Sequence, residues 1–182
     1  MQGPGTYDPS YLGAWSWYAL PTIGFQGVFM LRANGAAGPD AEVRCVPKTN
    51  SVGCVPFTSF SGVPSASAGA GFVLSASNVL NQKSGLLFYG TSGLQQSPFY
   101  GGQLCVRAPQ RRTPTQLSGG NPTGLDCSGT YNFDFNVLLA SGADPALTVG
   151  TTVDAQFWSR DPGFAVPDAI GLTRAVHFGI HP

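Results

Sequence analysis

The punctuation of the chain, Gly 25 and Pro 15 in 182 residues, constrains its fold before any motif does. Proline removes a backbone donor, and glycine costs about 1 kcal/mol against alanine inside a helix. Helices of ordinary length therefore have few places to run. The usual surface helix formers are missing as well: Glu42 is the only glutamate, and Lys48 and Lys83 are the only lysines. Serine, threonine and asparagine fill the intervals, and short polar side chains of that kind suit the outer faces of sheets and loops. The reading is all-β.

Alternation supports it. In "GAGFVLSASNVL", Phe72, Leu74 and Ala76 share one face, and Val73, Ser75 and Ser77 the other. "TYNFDFN" sets Tyr131, Phe133 and Phe135 against Asn132, Asp134 and Asn136, and residues 136–140 suit either a strand tail or one helical turn. "TTVDAQFWSR" is the clearest strand, with Val153, Ala155 and Phe157 opposed to Asp154, Gln156 and Trp158. The closing strand, "LTRAVHFGI", puts Leu172, Arg174, Val176 and Phe178 on one side and Thr173, Ala175 and His177 on the other. Further strands are expected at residues 25–33, 86–89 and in "GGQLCVRAP". Short strands separated by turn signals predict a β-sandwich or jelly-roll-like fold of short antiparallel strands with long Gly/Pro-rich loops. A single β domain over residues 1–182 is expected, with 1–22 as an N-terminal arm or irregular first strand.

Hydrophobic residues make up 42% of the chain, enough for a core, whereas charged residues make up only 10%. The usual charged share is about 25%. Nine basic and nine acidic residues cancel, so nucleic acid, which needs a basic field, is not expected as a partner. No apolar run reaches the length of a membrane span, so membrane insertion is not expected either. The N-terminus, "MQGPGTYDPS", lacks the basic and apolar parts of a signal peptide. An initiator methionine is compatible with a fragment cut from a longer exported chain.

The four cysteines, Cys45, Cys54, Cys105 and Cys127, point to an oxidising compartment, extracellular or at the cell surface. Three pairings are possible. Cys45–Cys54 with Cys105–Cys127 is the expected one, because each bond would close a local Gly/Pro/Asn-rich loop. Four-cysteine zinc sites use short knuckles, and these gaps are far longer. With all four cysteines oxidised, none supplies a thiolate nucleophile.

The remaining chemistry is sparse. A Ser-His-Asp set would have to use His177 or His181, and no G-x-S-x-G elbow occurs. His177 is expected to pair with a serine or carboxylate on its strand face, as a structural histidine. Asp126, Asp134, Asp154, Asp161 and Asp168 include possible carboxylate pairs for glycoside hydrolysis, and Asp154 with Trp158 would present a carboxylate and a stacking ring on one face. Turn caps and loop salt bridges are the plainer reading. In "WSRDPG", Asp161 ahead of Pro162 and Gly163 is a turn signature, and Arg160 is expected to pair with Asp168 or another nearby carboxylate. No cofactor is expected. Calcium is the one ion considered, with Asp126 and Asp161 as weak candidates in the absence of a D-x-[DN]-x-[DN]-G loop.

Aromatic residues carry the better binding argument. Trp15, Trp17 and Tyr18, with Phe99, Tyr100 and Trp158, would offer flat faces to sugar rings, although large rings more often fill a core or an interface. Arg107, Arg111 and Arg112 form the only basic cluster. It is too small for nucleic acid, but enough to bind a carboxylate or brace a loop.

Four stretches also carry a likeness: residues 45–90, "PFYGGQLCVRAPQRRTP", "DCSGTYNFDFN" and "AQFWSRDPG". In that order they resemble the cysteine-containing domain at the C-terminal end of large exported proteins of planctomycetes and similar bacteria, over most of residues 45–182. The resemblance implies a secreted, non-catalytic tail and carries over no catalytic residues. Three functions follow in order: an exported β module for surface display, assembly or protein contact, a carbohydrate-binding module using exposed aromatic rings, and a small glycan-active hydrolase. The expected partners are protein, by self-association or with domains of a parent chain, and then glycan.

Overall fold

Alternating apolar residues between turns build antiparallel sheets throughout the computed structural model, which describes residues 16–19, 28–31 and 41–182. The strands are β1 (Ser16–Ala19), β2 (Val28–Leu31), β3 (Ala41–Arg44), β4 (Phe57–Ser61), β5 (Val73–Val79), β6 (Ser84–Gly90) and β7 (Leu94–Phe99). There follow β8 (Gly102–Val106), β9 (Arg111–Arg112), β10 (Gln116–Leu117), β11 (Gly129–Asp134), one helix α1 (Phe135–Ser141), β12 (Thr152–Arg160) and β13 (Ile170–Gly179). Chain contacts divide the protein into two units, Met1–Gly38 and Pro39–Pro182. In the first, β1 and β2 pair antiparallel, with Trp17 opposite Met30 and Tyr18 opposite Phe29.

The second unit is an all-β sandwich. Its large sheet runs β10-β6-β12-β13-β3, with β9 also on β6, and its small sheet runs β11-β5-β4. Between the sheets lie Phe72, Leu74 and Ala76 of the β5 segment, Tyr131 of β11, Val153, Ala155 and Phe157 of β12, and Val176 and Phe178 of β13. The rings interlock: Phe178 meets Phe72 edge-on at 4.8 Å and Phe135 at 4.9 Å, while Tyr131 stacks on Phe157 at 5.9 Å. Each such pair adds about 0.5–1.5 kcal/mol to the burial itself. Residues 136–140 are helical, because Asp134 caps the Asn136 N–H and Gly142, at φ 62°, closes the end in the left-handed region.

The alternation of β12 holds along its whole length, but that of β13 does not. Gln156 faces Ala175 and Trp158 faces Leu172, so Thr173 and Arg174 together oppose Phe157. This bulge turns Leu172 to the opposite side of the sheet from Val176 and Phe178. Thr173 holds it, its Oγ1 accepting from the Phe157 N–H at 3.1 Å and donating to the Arg174 carbonyl at 2.8 Å. The single face expected for Leu172, Arg174, Val176 and Phe178 is therefore split in two.

A third layer, the β7–β8 hairpin, covers the outer face of the large sheet. Phe88, Val106, Ile170 and Leu172 form a second small core there, with Leu86, Phe99, Leu104 and Trp158 packed against it. Gln156, fully buried, joins the layers. Its Oε1 accepts from the Cys105 N–H, and its Nε2 donates to the Gln103 and Thr173 carbonyls, all at 2.7–3.0 Å.

The disulfides differ from the expected pairing. They are Cys45–Cys105 and Cys54–Cys127, spanning 60 and 73 residues in an interleaved order. The short loop assigned to a Cys45–Cys54 bond is closed instead by Asn50. Its N–H donates to the Cys54 carbonyl, and its Oδ1 accepts from the N–H groups of Val52 and Cys54. With that turn closed by hydrogen bonds, Cys45 is left to tie the hairpin to the chain leaving β3, and Cys54 to tie the loop before β4 to the segment entering β11.

Candidate functional site

The hairpin turn between β7 and β8 is built from Phe99, Tyr100, Gly101 and Gly102, with Phe99 opposite Gly102. Its two central residues have φ of 46° and 72°, the sign that a two-residue type I′ turn demands and that Asn-Gly normally supplies. Tyrosine there sits in the left-handed region at a cost of about 1–2 kcal/mol. Lys48 fixes the turn from behind. Its Nζ donates to the Tyr100 carbonyl at 2.8 Å and to the Asp168 carbonyl at 2.6 Å, and stands 4.4 Å from the centre of the Phe164 ring. Burial pulls the Lys48 ammonium below its ordinary pKa, while the charges of Asp168 and Asp161 oppose that shift. Gly102 makes room for the clamp, since a Cβ there would stand 3.1 Å from both Leu172 Cδ1 and Lys48 Cβ.

Held in this way, Tyr100 remains 46% exposed, its ring 4.4 Å from that of Phe99. Both rings line a groove of about 330 Å³ whose other walls are Leu86, Phe88, Leu104, Trp158 and Ile170, with Gln110 and Arg112 as its polar members. Three of the six aromatic candidates, Phe99, Tyr100 and Trp158, are thus brought together. Trp17 and Tyr18 lie on β1, where only backbone pairing is described, and Trp15 lies outside the described residues. On the far side of the turn, Lys48, Gly101, Gly102, Gln103, Phe164 and Asp168 line a second hollow of about 480 Å³.

The basic cluster separates along β9. Arg111 reaches Asp144 at 2.8 Å, and Asp144 also accepts from the Tyr89 hydroxyl at 2.9 Å. Burial, and then that bond, push the Tyr89 hydroxyl up. Arg112, the next residue, lines the groove instead, as alternation along a strand requires. Arg107 extends toward the Leu94 carbonyl.

The other candidates serve the framework. Asp161, almost fully buried, accepts from the Ser51 N–H at 2.9 Å, from the Ser51 hydroxyl and from the Gly163 N–H at 3.3 Å. The segment "WSRDPG" is accordingly pinned to the loop before β4. Arg160 is exposed and joins none of the ion pairs among the described residues, so its expected pairing with Asp168 is not seen. The Asp168 backbone instead serves Lys48. Asp126 accepts from the Ser128 hydroxyl and N–H and from Asn121, and these donors hold its carboxyl below the ordinary value. Among the described residues no group of three His, Cys, Asp or Glu side chains is arranged to hold a metal ion.

His177 pairs with a carboxylate, Asp154, at 2.6 Å from its Nδ1. Across the sheet, Glu42 lies opposite His177 and is bonded to Arg44. Asp154 is fully buried, and its Oδ2 has no hydrogen-bond partner among the described residues. Burial pushes its carboxyl up, while the bond and charge of His177 and the charge of Arg44 pull it down. A carboxylate so enclosed cannot face a sugar lying on Trp158, and no acidic side chain lines the aromatic groove. Asp154 and Trp158, considered as a carboxylate and a stacking ring, are therefore not brought together at this groove.

Sequence reading missed the roles of Lys48 and Gln156, and did not separate Arg112 from Arg111. The scarcity of lysine, with only Lys48 and Lys83 in the chain, is the one signal the sequence offers for Lys48. Among the described residues no helix is long and apolar enough to cross a membrane. Compared with known proteins, the chain matches no family model, no curated protein and no solved structure.

Proposed function

We propose that the chain is a non-catalytic contact module of an exported protein and that the groove beside the β7–β8 turn is its carbohydrate-binding surface. The observation that carries this reading is Tyr100. A ring displayed from a turn position that disfavours it, beside Phe99 and Trp158, costs stability that a glycine or asparagine would not. Sugar rings stack their C–H faces on such planes while rim groups take the hydroxyls, and Gln110 and Arg112 are placed for that. The two disulfides support a working life outside the cytoplasm.

Affinity electrophoresis in gels containing soluble polysaccharides tests the reading. Retardation by at least one polysaccharide, abolished in Tyr100→Ala and Trp158→Ala, is the expected result. Retardation that both variants retain would move binding away from the groove, and no retardation on a broad panel would overturn the reading.

A second reading, assembly with another protein chain, is favoured by β4. It ends the small sheet, and Phe57 and Phe60 on it are exposed, Phe57 to 63%, with Val55 and Val63 exposed on either side in the chain. An apolar strand edge of that kind invites pairing. Light scattering after size exclusion should then show an oligomer that Phe57→Ser dissociates.

A further inference from the structure

We propose that the groove selects a carboxylated sugar, a uronic-acid residue, with Arg112 as the group that recognises the carboxylate. This rests on the carbohydrate reading above and narrows its ligand class. The two consecutive arginines of β9 differ in their electrostatics. Arg111 is paired with the buried Asp144, whereas Arg112 joins none of the ion pairs among the described residues. Arg112 projects at a groove that contains no carboxylate of its own. Every other wall residue except Gln110 and the Tyr100 hydroxyl is apolar, and Gln110 already donates to the Val106 carbonyl at 2.7 Å.

The groove thus offers one charge beside four aromatic rings, those of Phe88, Phe99, Tyr100 and Trp158. A guanidinium takes a carboxylate through two parallel N–H···O bonds, stronger than the neutral bonds a hydroxyl would make. A hexuronate fits both demands at once, with an apolar ring face for Trp158 or Tyr100 and a carboxylate at its rim for Arg112. A neutral hexose would use the rings and leave the charge unanswered. An apolar acid such as a fatty acid would answer the charge but gain little from stacking.

The test is isothermal titration of the oxidised protein with short oligogalacturonates, their methyl esters and neutral cello-oligosaccharides. The ester keeps the ring and removes the charge. Acidic oligomers should bind about tenfold or more tightly than either neutral probe, and weaken as salt is raised. Arg112→Gln should lose that advantage, Arg112→Lys should keep part of it, and Tyr100→Ala should lose affinity for all the probes. Equal binding of acid and ester, unchanged in Arg112→Gln, would overturn the carboxylate assignment while leaving the carbohydrate reading standing. Failure of every saccharide to bind would overturn both. Binding of a peptide through its C-terminal carboxylate, in preference to any sugar, would overturn both as well. Arg112 is exposed, so unchanged thermal unfolding of Arg112→Gln separates lost recognition from lost folding.

Discussion

The two faces of the large sheet are made from the same strands and hold together by different means. The inner face, toward β5 and β11, is apolar, with Val153, Ala155, Phe157, Val176 and Phe178 buried to within a few per cent. The outer face, under the β7–β8 hairpin, alternates apolar and polar: Asp154, Gln156 and Trp158 come from the very strand that supplies the inner core. It is secured by the Gln156 hydrogen bonds, the Cys45–Cys105 bond and the Lys48 clamp. The inner face therefore carries the fold, and the outer face, with stability drawn from few and specific ties, has room for an open groove.

The largest effect expected on this contrast is at Phe157. Phe157→Ala removes a ring stacked on Tyr131 and opens a cavity between the sheets, at a cost of about 3–5 kcal/mol. Urea unfolding should show it. Trp158→Ala, one residue along and half-buried on the outer face, should cost about half as much and abolish saccharide retention. Equal losses at the two positions would erase the distinction between the faces.

The next effect tests what the hairpin depends on. Serine at both Cys45 and Cys105 removes a cross-link over 60 residues, lowering stability by about 2–4 kcal/mol. Amide hydrogen exchange should show protection lost first in β7 and β8 and retained in β5, β11 and β12. Uniform loss of protection would mean that the hairpin is as integral as the inner core.

How much of this could be read from the residues follows the same division. The inner face is readable where its strands keep one period: Phe72, Leu74 and Ala76, then Val153, Ala155 and Phe157. The outer face depends on events that leave period two. The bulge at Thr173 and Arg174 is invisible in "LTRAVHFGI", since Leu172 and Val176 fit an unbroken alternation equally well. The cysteine pairing is not legible from loop length, because the hydrogen bonds of Asn50 close the 50–54 turn without a disulfide. Phe99, Tyr100 and Trp158 could be singled out as rings, but their convergence needs the hairpin folded over the sheet. The helix after β11 is a middle case: Asp134 and Gly142, its two caps, were in plain view, yet the alternation through Phe135 argued for continuing the strand.

A smaller effect, of opposite sign, is expected at Asp154. Its carboxyl is pushed up by burial, so its contribution to stability is intact below the unfolded carboxylate value, near pH 4. It is lost as pH rises through the higher folded value, because the unfolded chain ionises first. Asp154→Asn keeps an oxygen for His177 and discards the buried charge. The variant and the parent should unfold at the same urea concentration near pH 3, with the variant becoming the more stable toward pH 7. A parent that gains stability relative to the variant over that interval would show instead that the pair with His177 outweighs the burial of the charge.

The smallest effect on stability separates folding from function most sharply, and it falls on the outer face. Tyr100 occupies a position whose φ of 46° suits asparagine or glycine. Tyr100→Asn should relieve about 1 kcal/mol of backbone strain, less whatever the ring gains from its contact with Phe99 at 4.4 Å. Thermal unfolding is therefore expected at the parent temperature or a few degrees above it. The same substitution removes a wall of the groove, and saccharide retention should disappear. Stability unchanged or raised while binding is lost is the behaviour of a residue kept for its ligand. Should Tyr100→Asn instead unfold at a clearly lower temperature, the ring would belong with Phe157 among the packing residues, and the groove would lose its strongest support as a binding surface.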